Sequence, residues 1–144
     1  MEPVVHQPGE GERVESLGLT IKATGADTGG SLYLGETVLP PGFAGPPPHY
    51  HEQLCDMFYV LEGPLTVLVG EETLELRTGG FACIPPGTVH TFSNPSDHPV
   101  RILNFNTPGG WEDYMRDLGA LQAEGATTAD AARQIASKYD LKIP

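Results

Sequence analysis

Residues 45–63 read GPPPHYHEQLCDMFYVLEG. In an extended chain alternate residues point to one side, so His49 and His51 can both turn their imidazoles toward one interior. Residues 52–55 then form a bend, and Asp56 opens a strand on which Asp56, Phe58 and Val60 share a face. A second stretch, GGFACIPPGTVHTFSN at residues 79–94, carries the turn Pro85-Pro86-Gly87 followed by a strand with His90 and Phe92 on one side. Three imidazoles and a carboxylate on converging strands suit Fe, Mn, Co, Ni or Zn. A His-x-His pair on a strand is also compatible with an ordinary, partly exposed pair of histidines.

Outward from these stretches, short runs of β-branched, leucine and aromatic residues recur between clusters of Gly, Pro, Asn and Asp. That is the rhythm of an all-β sandwich or barrel. Strands are predicted over 17–23, 31–39, 56–61, 65–69, 72–77, 81–84, 89–93 and 99–106. The run LTVLV at 65–69 is apolar on both faces, so it is expected to be covered on both sides and away from an open edge. After Pro108-Gly109-Gly110 the period changes: Trp111, Tyr114, Met115, Leu118 and Leu121 have helical spacing, with acids in the first turn. A second helix is expected to start at Thr127 or Thr128, with Ala131, Ile135 and Tyr139 along one face. One domain is expected over 1–144, with a barrel over about 13–106 and a helical segment over about 110–140 packed outside it.

Eight basic against nineteen acidic residues give a net charge of −11, which repels nucleic-acid phosphates and anionic lipid surfaces. No apolar run is long enough to span a bilayer, and the first residues, MEPVVHQPGE, carry no basic head or apolar stretch, so a cytoplasmic location is expected. Cys55 and Cys83 lack the spacing of a zinc ribbon or redox motif and are expected to be reduced thiols. His6 and His98 lie outside both stretches and are expected to be solvated.

The two stretches resemble the two motifs of the cupins. The first has paired histidines, a carboxylate after a four-residue gap and a closing glycine; the second has a glycine, a Pro-x-Gly turn, a histidine and an asparagine. From about Leu17 to about Leu118 the chain is similar to single-domain cupins of the quercetin 2,3-dioxygenase type. The resemblance implies an all-β jelly-roll barrel with His49, His51, Asp56 and His90 as ligands of one divalent transition metal ion. It implies a metal-dependent dioxygenase acting on a flavonol-like or other electron-rich aromatic or enolic small molecule, in a homodimer. Fold alone does not fix function, so a non-redox isomerase or cyclase, or a ligand- or metal-binding cupin without turnover, stays open. Asp56 is the candidate catalytic base, and Phe58 and Phe92 are candidate substrate contacts, with Tyr33 a lesser one. The family usually carries a glutamate where Asp56 stands, a side chain longer by about 1.3 Å; Glu52 is the substitute carboxylate, although its place beside His51 turns it outward.

Overall fold

Alternating apolar residues give each long strand one face that must be covered, and two sheets meet to cover it. The computed structural model describes residues 1–144. Nine strands form: β1 (Glu12–Val14), β2 (Leu19–Ala23), β3 (Tyr33–Leu39), β4 (Cys55–Glu62), β5 (Leu65–Val69), β6 (Glu72–Leu76), β7 (Phe81–Ile84), β8 (His90–Ser93) and β9 (Val100–Thr107). A six-stranded sheet has the order β1-β2-β3-β9-β4-β7 and a three-stranded sheet the order β6-β5-β8. The two sheets face each other as a jelly roll and are not hydrogen-bonded into a closed barrel. Eight strands were expected from sequence. The ninth, β1, is a three-residue Glu-Arg-Val segment too short to carry a pattern, and it pairs with β2.

Strand β5 lies between β6 and β8, away from the edge, as its apolar run requires. Only Leu65 and Val67 are buried; Thr66 and Leu68 are half-covered, so the outer face of this sheet is less protected than expected. The edge strand β6 reads ETLEL and is exposed at four of its five positions; its glutamates discourage pairing with another chain.

Register places Tyr33, Asn106, Asp56 and Ile84 side by side across β3, β9, β4 and β7. The next row of the same face holds Gly35, Asn104, Phe58 and Ala82. Below these, Phe58, Val60, Leu65, Val67, Ile84, Val100 and Ile102 make a dry core between the sheets.

The remainder of that face, on β2 and β3, is covered by helices. The helix α1 (Trp111–Ala123) and the helix α2 (Ala129–Ala136) lie outside the strands and pack Trp111, Tyr114 and Ala136 against Leu19, Ile21, Tyr33 and Leu54. Thr128 caps α2, its hydroxyl accepting from the Ala131 amide. The buried Glu112 of α1 accepts from the amides of Gly25 and Gly110 and so ties the β2–β3 loop to the helix start.

Candidate metal centre

His49 and His51 do not lie in a long strand. They sit on a loop held from both sides by short β-bridges, His49 to His90 and Tyr50 to Lys142. Gly45, at φ +81°, lets this loop approach β8, where a side chain would collide with the Phe92 carbonyl; Thr91 closes the junction by donating to the Pro46 carbonyl at 2.6 Å. Gly87 donates its amide to the His51 carbonyl at 2.7 Å, joining the Pro85-Pro86-Gly87 turn to the ligand loop. His49, His51, Asp56 and His90 therefore arrive from a loop and two facing sheets, and their ligand atoms all lie within 4.8 Å of one another. All four residues are buried, at 5, 2, 5 and 1% exposure.

The histidine tautomers follow from their partners. Nδ1 of His49 lies 3.0 Å from the Pro47 carbonyl, Nδ1 of His51 2.5 Å from the Asp140 carbonyl, and Nδ1 of His90 2.9 Å from the Thr88 carbonyl. A carbonyl only accepts, so each Nδ1 carries the ring proton and each Nε2 is left with a bare lone pair. His90 Nε2 then stands 2.9 Å, and His51 Nε2 3.5 Å, from Asp56 Oδ2, acceptor facing acceptor. Such an arrangement suits a cation, or an added proton, between them. Three neutral imidazoles and one carboxylate, oriented through their outer nitrogens by backbone carbonyls, are the donor set of a first-row divalent ion. The residues fit such an ion.

Asp56 reaches the cluster despite its short side chain. Its Oδ1 accepts from Asn106 Nδ2 at 2.6 Å and Asn104 Nδ2 at 2.8 Å, which leaves Oδ2 turned to the histidines. Burial alone would raise the Asp56 pKa; in the metal-free chain, with a proton shared between Asp56 and the Nε2 atoms, hydrogen bonds from His51 and His90, and from Asn104, outweigh burial and hold the carboxyl at about 2. Burial drives His49 down to about 4, against the pull of the Pro47 carbonyl. His51 is also pushed down by burial but ends above its ordinary value, because Asp56 and the Asp140 carbonyl favour its protonated ring.

Three residues of this site had not been singled out from sequence: Asn104, Asn106 and Asp140. The asparagines alternate on β9, a period-two signal, yet nothing in the chain says which strand lies beside them. Asp140 follows α2, and its carboxylate accepts three successive amides of the ligand bend, from Glu52 at 2.6 Å, Gln53 at 2.8 Å and Leu54 at 2.9 Å. The segment expected only to pack thus clamps the loop that carries two of the imidazoles. Asp140 itself lies below the ordinary carboxyl range: burial would raise it, and those amides and His51 lower it.

The remaining candidates fall elsewhere. Glu52 is exposed and faces Lys142 at 3.8 Å. His6 is exposed, and His98 sits at the surface beside Asp97. Phe58 is fully buried in the core, its ring centroid 6.5 Å from that of His90, and the half-buried Phe92 packs on it at 5.1 Å. Tyr33 is buried among Leu19, Ile21 and Trp111. A cleft of about 270 Å³ lies against Leu54, Trp111, Tyr139 and Asp140, and Trp111 also packs edge-on against His51 at 5.1 Å.

The family profile described as the cupin domain matches residues 35–106. A quercetin 2,3-dioxygenase of Bacillus subtilis is 35% identical over 71 residues, which are 49% of this chain and 21% of that enzyme. An uncharacterized protein of Aquifex aeolicus is 33% identical over 69 residues, covering 48% of this chain and 57% of that one. The chain thus spans about a fifth of the first relative and little more than half of the second. Among solved structures, TT1209 from Thermus thermophilus superposes with a TM-score of 0.51 at 33% identity, over 55% of this chain and 74% of that one. KdgF from Halomonas shares the fold, with a TM-score of 0.61 at 20% identity over 78% of this chain and 98% of that one.

Proposed function

The chain belongs to the cupin domain family, and from that premise we propose that it is a metal-dependent enzyme, a dioxygenase acting on a flavonol-like or other electron-rich aromatic or enolic small molecule. The observation that carries the metal is the set of three histidines whose Nδ1 protons are committed to backbone carbonyls, leaving Nε2 lone pairs that converge with Asp56, those of His51 and His90 directly against its Oδ2. A divalent transition ion held by His49, His51, His90 and Asp56 supplies Lewis acidity toward an enolic oxygen and, where redox-active, reactivity toward dioxygen. The likeness to the Bacillus dioxygenase supports the reaction class.

The protein's own groups divide the remaining work. Asn104 and Asn106 donate to Asp56 Oδ1 and so aim its other oxygen at the centre. Asp56 serves as a ligand, and it is also the nearest candidate for the catalytic base. Phe58 and Phe92 make the apolar wall beneath His90 and exclude water from that side. We place the protein in the cytoplasm as a homodimer, as its resemblance to single-domain cupins implies. No helix is long and apolar enough to cross a membrane.

A second reading, a ligand- or metal-binding cupin without turnover, is favoured by the near-complete burial of the four ligands. The test is to load the chain with Fe, Mn, Co, Ni or Zn in turn and follow oxygen uptake and loss of a flavonol such as quercetin. Oxygen-dependent loss with at least one metal supports the dioxygenase. Loss at the same rate without oxygen selects the non-redox isomerase or cyclase, and tight binding with no loss selects the binding protein.

A further inference from the structure

The two cysteines, 28 positions apart in sequence, come together on the outer face of the six-stranded sheet with their sulfurs 3.4 Å apart. The pairing of β4 with β7 explains this. Asp56 stands opposite Ile84 and Met57 opposite Cys83, so Cys55 is the diagonal neighbour of Cys83 on the same face. Both are free thiols; Cys83 is exposed and Cys55 half-buried. Each directly precedes an inward residue, Cys55 the metal-facing Asp56 and Cys83 the core residue Ile84. β7 is an edge strand, held in its sheet through β4 alone.

We propose that Cys55 and Cys83 form a reversible intramolecular disulfide, a modification site whose closed form ties the edge strand β7 to β4 behind the metal centre. Closure needs the sulfurs to approach from 3.4 Å to about 2.05 Å, and because the pair is diagonal the edge strand β7 shifts toward β4 as the bond forms. The co-reactant is a peroxide. The Cys83 sulfur, the more exposed, attacks one oxygen of hydrogen peroxide; the O–O bond breaks, a sulfenic acid forms on Cys83 and the departing hydroxide leaves as water with the thiol proton. The Cys55 sulfur then attacks the Cys83 sulfur and displaces hydroxide, which takes the Cys55 proton and leaves as a second water. In sum, two thiols and one peroxide give one disulfide and two waters: sulfur is oxidised and peroxide oxygen reduced. This proposal does not depend on the reaction assigned to the metal centre.

The test treats the reduced full-length chain with equimolar hydrogen peroxide and reads intact mass, thiol titre and a non-reducing peptide map. The expected result is a loss of about 2 Da, disappearance of both titratable thiols, a peptide linking residues 55 and 83, and recovery with dithiothreitol. Amide exchange in β7 should slow in the oxidised form. The Cys55→Ser variant should stop at a sulfenic acid on Cys83 that dimedone traps, and Cys83→Ser should react far more slowly. Two thiols still titratable in the wild type, a sulfinic acid in place of the link, or a disulfide-joined pair of chains would overturn the proposal. A Cys55→Ser variant that gives no dimedone adduct would overturn the order of attack.

Discussion

Replacing Asp140 by Ala removes one carboxylate and leaves three amides, those of Glu52, Gln53 and Leu54, without their acceptor. Hydrogen bonds to a charged group contribute about 1.5–3 kcal/mol each when desolvated. Glu52 and Gln53 are exposed, so water replaces most of their share, whereas Leu54 is buried and its amide loses the most. The expected destabilisation is about 2–3 kcal/mol, a fall in Tm of roughly 6–9 °C for a domain of this size. The metal-loaded chain should also bind its ion about 10- to 100-fold more weakly, because the Asp140 carbonyl that orients His51 loses its anchor. Asp140→Asn keeps one oxygen acceptor and should lose about half as much stability. The folded-state pKa of Asp140 is depressed, so its contribution is complete above the ordinary aspartate value of about 3.9 and is lost as pH falls through the folded value. Asp140→Asn should remove that acid-side slope. The assay is thermal unfolding from pH 3 to 7 with metal titration by calorimetry. A Tm within about 1 °C of wild type, together with unchanged metal affinity in Asp140→Ala, would refute the clamp.

Three further outcomes are expected. His49→Ala, His51→Ala and His90→Ala should each sharply lower metal occupancy measured by elemental analysis, while His6→Ala and His98→Ala should leave it unchanged. Asn106→Ala should raise the Asp56 pKa, by removing a donor from Oδ1, and weaken metal binding with little change in far-ultraviolet circular dichroism. In the metal-free chain, His49 titrates near 4 when folded and near 6.5 when unfolded, so the unfolded state binds the extra proton between these values. Stability should therefore decline as pH falls from about 6.5 toward 4, by on the order of 3 kcal/mol, and saturating metal, which keeps the ligand histidines deprotonated when folded, should steepen the decline and extend it below about 4.

What the sequence determined by itself was local. Period-two apolar runs and Gly/Pro turns fixed most strands to within two residues, because the pleat writes itself into side-chain alternation. His49, His51, Asp56 and His90 were legible as a group through the resemblance of two stretches to the cupin motifs, since the His-x-His alternation by itself also fits an ordinary pair of histidines. Tertiary structure decided everything that depends on which strand lies beside which. Asn104 and Asn106 became partners of Asp56 only through β9 pairing with β4. Asp140, nearly ninety positions from the ligand bend, became its clamp only because α2 returns the chain to the β3–β4 loop. Cys55 and Cys83 have no motif between them, yet antiparallel register brings their sulfurs to 3.4 Å. Hydrogen bonds and thiol contacts act over a few ångströms in space, whereas sequence patterns report only neighbours along one strand or helix, so contacts between distant segments leave no local trace.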